Sequence, residues 1–219
     1  MAHIDLDSKI LGKNDELASG NRALLAEHGA YMLNLMASPG AGKTSTIMAT
    51  IAALKDSYRL AVIEGDIAGD VDAQEVKAAG MPAVQINTGG SCHLEADMVR
   101  RALEVLDLDA VDIIIVENVG NLVCPTDFDL GENARAMILS VPEGDDKPIK
   151  YPGIFEAADA IVLNKVDTMP VFDFDEDAFR ATVKSLNPDA PVFAVSATKG
   201  DGMERWAEWL VMRFEELRD

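Results

Sequence analysis

The chain has few cysteines, few basic residues and no long apolar run, and each shortage excludes a class of protein. Two cysteines in 219 residues cannot build a disulfide-rich scaffold, so we expect reduced thiols. The 19 basic residues face 38 acidic ones, and a net charge of −19 repels phosphate backbones and argues against a nucleic-acid partner. No run reaches the roughly 18 apolar residues that cross a bilayer, so we expect no membrane partner.

The sequence also lacks targeting and linker features. Its first residues, MAHIDLDSKILGKNDELASG, have neither the basic nor the apolar region of a signal peptide, and we expect a cytoplasmic protein. No repeat, low-complexity tract or proline- and serine-rich linker divides the chain. We predict an N-terminal arm over residues 1–29, with a helix over about 13–28, packed on a single domain over residues 30–219.

Apolar runs alternate with segments of helical spacing along that domain. Runs typical of buried strands lie at 31–38, 60–66, 83–87, 111–120, 136–141, 160–167 and 192–197, and helical segments at 44–56, 94–107, 175–187 and 202–217. Strands that are apolar throughout and separated by helices predict an α/β fold with a mainly parallel sheet covered on both faces. In the last helix, Trp206, Leu210 and Phe214 share one face, and we predict that they pack in the core rather than form a docking surface.

A phosphate-binding loop is predicted in ASPGAGKTS (37–45), which follows a strand and opens a helix. That context makes the pattern G-x-x-x-x-G-K-T/S specific for the P-loop NTPase fold, although Ala37 replaces the first glycine. The glycines let backbone N–H groups converge on phosphate oxygens, Lys43 would reach the β- and γ-phosphates, and the Thr44 hydroxyl would bind Mg²⁺. The predicted phosphate-binding residues are Gly40, Ala41, Gly42, Lys43, Thr44 and Ser45.

The base is predicted to be guanine. VLNKVD (162–167) places Asn164, Lys165 and Asp167 at the end of a strand in the N-K-x-D arrangement of GTPases. The Asp167 carboxylate would accept hydrogen bonds from the guanine N1–H and amino groups, whereas the N1 lone pair of adenine would leave it unpaired. Ser196 and Ala197 in VSATKG resemble the fifth GTPase motif and would flank the base.

The predicted hydrolytic residues are Lys43, Asp66 and Glu117. IIIVENVG (113–120) resembles a Walker B strand in which Glu117 would hold Mg²⁺ through water and the Gly120 amide would meet the γ-phosphate. Asp66, at the end of VIEGD, would ligate Mg²⁺ or orient the attacking water; the alternative is a helix N-cap. Neither a catalytic glutamine nor an arginine finger is identifiable, so we expect hydrolysis to be slow or to require a partner.

A second site is predicted where NTGGSCHLEADMV (87–99) places Cys92 beside His93. With Cys124, these residues offer two thiolates and one imidazole, a set suited to Ni²⁺ or Zn²⁺. Adjacent residues on a regular helix point in different directions. Cys92 and His93 can therefore bind the same ion only if they lie at the loop-to-helix junction after the two glycines. The alternative is that they bind an ion shared between two subunits. The alternative makes the cysteines small buried hydrophobes and His93 an exposed residue at the start of the helix.

The two sites are close along the chain. Cys124 lies four residues beyond Gly120, at most roughly 14 Å of extended chain. A loop tightened by the γ-phosphate at Gly120 must move the thiolate, so the hypothesis is a metal held or released under nucleotide control.

Together these residues resemble the HypB family, the nickel-inserting GTPases of nickel–iron hydrogenase maturation, in the dimerising branch of P-loop GTPases. The resemblance covers nearly the whole chain and includes ILGKNDELASGNR, ASPGAGKTS, EGD, CHLEADMV, ENVGNLVCPTDFDLGE, EGDDKPIKYPGIFEAAD, LNKVD and VSATKG. It implies GTP hydrolysis coupled to nickel delivery to the hydrogenase large subunit, a HypA-type partner and a GTP-promoted homodimer. It also implies an interface metal site built from Cys92, His93 and Cys124.

Other features leave alternatives open. The N-terminal cysteine motif or histidine-rich stretch of many members is missing from the start of this sequence, so tight nickel storage is not expected. Lys147 and Lys150 either approach the nucleotide across a dimer interface or are solvated loop residues. The rival functions are a urease-accessory nickel GTPase, whose metal motif is Cys-Pro-His, a GTPase that guards a cobalamin mutase, a P-loop small-molecule kinase, and a metal-binding protein that uses nucleotide only for assembly.

Overall fold

Seven parallel strands form one sheet in the computed structural model, which describes residues 6–66 and 76–218. The strands are β1 (Tyr31–Ala37), β2 (Leu60–Asp66), β3 (Ala83–Asn87), β4 (Ile113–Glu117), β5 (Ala134–Ser140), β6 (Ala160–Asn164) and β7 (Val192–Ala194). Their order is β3-β2-β4-β1-β5-β6-β7, and every pairing is parallel. The predicted parallel α/β sheet is confirmed, so the carboxyl ends of all seven strands meet at one edge.

Seven α-helices have both of their ends within the described residues. They are α1 (Leu6–His28), α2 (Lys43–Leu54), α3 (Ala96–Leu103), α4 (Lys147–Lys150), α5 (Pro152–Glu156), α6 (Glu176–Leu186) and α7 (Met203–Glu215). Helix α1 begins earlier than predicted because it continues through Gly12, whose cost in a helix is only about 1 kcal/mol. No helix in this part of the chain is long and apolar enough to span a membrane.

The helices cover both faces of the sheet. Helices α2 and α7 pack on one face, where Ile47, Trp206 and Phe214 are fully buried. Trp206 also donates its Nε1–H to Thr50 Oγ1 at 2.9 Å, which satisfies its polar atom. The apolar stripe of α7, including Leu210, therefore packs in the core, as predicted. On the opposite face, α1 and α3 cover β1, β2 and β4.

Buried asparagines tie α1 to two loops beyond the sheet edge. Asn14 accepts a hydrogen bond from Ala96 N at 2.9 Å and donates to Asp129 O at 2.7 Å. Asn21 donates to Ala96 O and to Leu130 O, both at 2.9 Å. Helix α1 thus joins the start of α3 to the segment after Cys124, while the division into an arm over 1–29 and a domain over 30–219 stays a prediction.

Asn21→Ala should destabilise the fold by about 1–3 kcal/mol, because two buried carbonyls lose a donor that water cannot replace. Urea unfolding followed by circular dichroism measures this change. The matched control is Arg22→Ala, which breaks an exposed ion pair with Asp129 at 2.9 Å and should cost less than about 1 kcal/mol. Equal losses for the two variants would show that the buried amide is not an anchor.

Candidate nucleotide and metal site

The phosphate loop joins β1 to α2 at the carboxyl edge of the sheet. Gly40 and Gly42 adopt positive φ angles of 78° and 97°, which glycine accepts without strain. A side chain at Gly42 is also excluded sterically, since its Cβ would lie 2.4 Å from Asn164 Nδ2. Ala37 is the last residue of β1 and is fully buried, which explains why a small residue suffices there. A cavity of about 310 Å³ is lined by Gly40, Gly42, Lys43, Thr44, Ser45, Glu117 and Lys165.

Three predicted hydrolytic and magnesium-binding side chains meet beside this cavity. Thr44 Oγ1 lies 3.3 Å from each carboxylate oxygen of Glu117, and Lys43 Nζ lies 3.9 Å from Glu117 Oε1. Lys43 and Glu117 are both buried. A hydroxyl and a carboxylate side by side are oxygen ligands of the kind Mg²⁺ prefers, so the donor set fits this ion. Asp66 ends β2, the neighbour of β4 at the same edge. The alternative prediction, that Asp66 caps a helix, concerns residues outside the described ranges.

The predicted base-binding residues support the phosphate loop from the side of β6. Asn164 donates from Nδ2 to Ala41 O at 3.0 Å and accepts from Ala197 N at 3.2 Å. Lys165 donates from Nζ to Gly40 O at 2.6 Å, and its φ of 60° is the one positive value among non-glycine residues in the described ranges. Strain of this kind concentrates at functional sites, which is consistent with a lysine that braces the loop.

Asp167 lies in the 3₁₀ turn Val166–Val171 that follows β6, where Ser196 and Lys199 hold its carboxylate in place. Ser196 Oγ donates to Asp167 Oδ1 at 2.7 Å, and Lys199 Nζ lies 3.2 Å from Oδ2. The Ser196 hydrogen bond, together with that of Lys199, lowers the pKa of Asp167 below its usual 3.8. The carboxylate is therefore ionised and can accept hydrogen bonds at neutral pH.

The structure brings the three predicted metal ligands together. One ligand atom each from Cys92, His93 and Cys124 lie within 4.8 Å of one another, and Cys92 Sγ is 3.7 Å from His93 Nδ1. The pair occupies the bend that follows Gly89 and Gly90, both with positive φ, and precedes α3. This loop-to-helix junction is the location that Cys92 and His93 need if both are to bind the same ion.

The state of these ligands suits a soft divalent cation. His93 stacks on Phe128 with ring centroids 3.8 Å apart, and burial lowers the pKa of His93 below 6.5, so its ring is neutral at neutral pH. Its Nε2 is buried and has no hydrogen-bond partner in the structure. The neighbouring Cys92 thiol raises the pKa of Cys124 above 9.0. Metal binding would displace the thiol protons, which makes affinity dependent on pH.

The segment between Gly120 and Cys124 contacts the phosphate loop directly. A Cβ added to Gly120 would lie 2.9 Å from Pro39 N, so the two backbones are in close contact. Asn121 donates its N–H to Ala37 O at 2.8 Å, and its Oδ1 accepts from Cys124 N at 3.3 Å. Asn121 thus contacts the phosphate loop through its main chain and the backbone of Cys124 through its side chain.

Several polar side chains that organise this edge of the sheet could not be predicted from the sequence. The Asn118 side chain accepts from the distant Leu94 N–H, whereas the Asn121 side chain accepts from the nearby Val123 and Cys124 N–H groups. No local pattern distinguishes these two asparagines from other loop residues. Glu143 accepts hydrogen bonds from Ser38 in the phosphate loop and from Ser140 at the end of β5. The signal available for Glu143 is the capping box from Ser140 to Glu143, which pairs a serine with a glutamate three residues later.

The fold and the site define the class of P-loop nucleotide-binding proteins. A glycine-rich loop joins the first strand of a parallel sheet to the following helix, Lys43 and Thr44 begin that helix, and an acidic residue ends β4. Residues 31–194 match the family model described as CobW/HypB/UreG, nucleotide-binding domain. The hydrogenase maturation factor HypB of Azotobacter chroococcum mcd 1 is 50% identical over 94% of this chain and 68% of its own length.

Two solved structures show that the similarity extends to the three-dimensional fold. HypB from Helicobacter pylori in complex with nickel has a TM-score of 0.89 at 39% identity, covering 93% of this chain and 96% of the other. The hydrogenase maturation factor HypB from Archaeoglobus fulgidus has a TM-score of 0.87 at 38% identity, covering 93% and 99%. The chain belongs to the CobW/HypB/UreG family and, within it, to the HypB-type hydrogenase maturation GTPases.

Proposed function

We propose that this chain binds nickel at Cys92, His93 and Cys124 and passes it on for hydrogenase maturation, with the strength of metal binding set by GTP or GDP. The observation that carries the proposal is the convergence of these three ligand atoms beside a segment that packs on the phosphate loop. A nickel complex of a HypB structure with this fold adds support.

In this proposal the nucleotide lies along the carboxyl edge of β1, β4 and β6. Backbone amides of residues 40–45 and Gly120 would hold the phosphates, and Asp167 would bind the guanine. Asn164 and Lys165 act mainly by bracing the loop, since both donate to its carbonyls. Ser196 orients the Asp167 carboxylate, and Ala197 fixes Asn164 through its amide.

Thr44, Glu117 and Asp66 would hold Mg²⁺, which neutralises charge that builds up between the β- and γ-phosphates. Buried Lys43 would contribute a second positive charge at the same phosphates, at a point where water cannot screen it. The described residues that line the phosphate cavity include no glutamine or arginine that could orient water or offset charge. We therefore propose that GTP hydrolysis by the isolated chain is slow and that a partner protein accelerates it.

Nickel is the cargo, and zinc is the competing ion because thiolates and imidazole suit both. Three ligands leave a tetrahedral site one short, so we propose that a GTP-promoted homodimer, or water, completes it. In α4, Lys147 is half-buried and Lys150 is exposed, and their contact with a nucleotide across the dimer stays a prediction. A HypA-type nickel protein and the hydrogenase large subunit are the proposed partners.

The coupling follows from where the chain runs after β4. A γ-phosphate drawn to Gly120 tightens the segment that Asn121 connects to the Cys124 turn. Loss of that phosphate releases the segment and changes the position of one thiolate relative to the other two ligands. Coupling between two such sites is typically 5–150-fold in affinity, roughly 1–3 kcal/mol.

The wild-type protein should therefore bind Ni²⁺ with affinities that differ by about 5–150-fold between GDP and a non-hydrolysable GTP analogue. Competition titration with a chromophoric chelator gives both dissociation constants, and light scattering on the same samples gives the oligomeric mass. The analogue should raise the mass to that of a dimer. Identical dissociation constants in the two nucleotide states would refute nucleotide control, whatever the mass.

A further inference from the structure

Leu94, the residue that follows the cysteine–histidine pair, lies between the ends of two nucleotide-site strands. It is fully buried, and its main-chain N–H donates to Asn118 Oδ1 at 3.2 Å. Its side chain packs on Gly65, since a Cβ added there would lie 2.8 Å from Leu94 side-chain atoms. Asn118 is the first residue beyond β4, and Gly65 immediately precedes Asp66. Leu94 therefore connects the bend that contains Cys92 and His93 to the ends of both β2 and β4.

The Asn118 side chain is fixed at both of its polar atoms. It is fully buried, and its Oδ1 accepts from Val119 N at 2.9 Å as well as from Leu94. Its Nδ2 donates to Asn34 Oδ1 in β1 at 3.2 Å. Asn34 is also fully buried and donates in turn to Glu132 Oε1 at 3.3 Å. In such a low-dielectric network a broken hydrogen bond leaves a buried polar group unpaired, so reorienting the Asn118 amide costs free energy.

We propose that Asn118 is the positioning residue that transmits the nucleotide state to the Cys92–His93 half of the metal site. The inference rests on the proposed function and adds a second route to it. When the segment after β4 moves, Cys124 follows through the covalent chain, whereas His93 follows through the Asn118–Leu94 hydrogen bond. The two halves of the metal site thus respond to one event by different paths.

The test is the ratio of Ni²⁺ dissociation constants with GDP and with a non-hydrolysable GTP analogue, measured on the full chain. In Asn118→Ala this ratio should fall towards one, while GDP affinity and the thermal unfolding midpoint with GDP report that the nucleotide site is folded. Asn34→Ala is the matched control, because it removes another hydrogen bond from the same amide and leaves the Leu94 contact. It should keep most of the wild-type ratio.

Gly65→Ala provides an independent variant if Asn118→Ala does not fold. Its added methyl would displace the Leu94 side chain, and we expect the ratio of Ni²⁺ dissociation constants to fall towards one here as well. A wild-type ratio in a folded Asn118→Ala or Gly65→Ala protein would overturn the inference, as would an equal loss in Asn34→Ala. If the wild type itself shows no nucleotide dependence, the proposed function fails, and the inference with it.

Discussion

Cys124→Ala should weaken Ni²⁺ binding by about 100-fold or more and remove the difference between the GDP and GTP-analogue states. Removing a group that merely orients a metal ligand costs about 10–100-fold, and here a ligand itself is lost. The remaining Cys92 and His93 belong to the other half of the site, which cannot hold the ion with two donors. Titration with a chromophoric chelator in both nucleotide states measures both effects.

Ser91→Ala is the control for this variant. It deletes a hydroxyl from the half-buried residue next to Cys92 but removes no proposed metal ligand, so the Ni²⁺ affinity should stay within a factor of about two. GTP hydrolysis should persist in both proteins. A Cys124→Ala protein that binds nickel as tightly as the wild type would place the thiol outside the metal site.

Asp167→Asn should exchange the base preference from guanine to xanthine. The amide Nδ2 can donate to the xanthine O2, whereas it faces the guanine amino group donor to donor. A site built to hydrogen-bond a ligand rejects the mismatched analogue by about 100-fold at least. We expect GTP affinity to fall by that factor and xanthosine triphosphate affinity to rise, as measured by competition against a fluorescent nucleotide.

Asp173→Asn removes a carboxylate from the exposed segment that follows the same strand and should leave both affinities unchanged. Hydrolysis of xanthosine triphosphate by Asp167→Asn would show that the phosphate end of the site is intact. If this variant still discriminated in favour of GTP, Asp167 would not bind the base, and the assignment of the N-K-x-D motif would be wrong.

The strands and the phosphate loop could be predicted because local physics determines them. Buried parallel strands are apolar throughout, and Gly42 must be glycine both for its φ of 97° and for its contact with Asn164. The start of α1 could not be predicted so well, since Gly12 resembles a helix boundary. Its anchors, Asn14 and Asn21, are polar residues buried on the same helix face as Ala18 and Leu25, so an apolar pattern alone does not indicate their burial.

The Asn118 network was equally hidden from the sequence. Its hydrogen bonds join residues that are 24, 84 and 98 positions apart, and nothing in the neighbouring residues indicates those partners. The candidate metal ligands could be singled out from the sequence because cysteine and histidine are rare in this chain and have few roles. A buried asparagine has many, and only the fold shows which backbone groups it satisfies.

Two crystal structures with nickel bound, one with GDP and one with a non-hydrolysable GTP analogue, test the link between nucleotide and metal most directly. The distance from Cys124 Sγ to Cys92 Sγ is the quantity to compare. We predict that the segment from Gly120 to Cys124 shifts between the two states and that this distance changes with it. A Cys124 sulfur that keeps the same neighbours and makes no bond to nickel in either state would contradict the coupling.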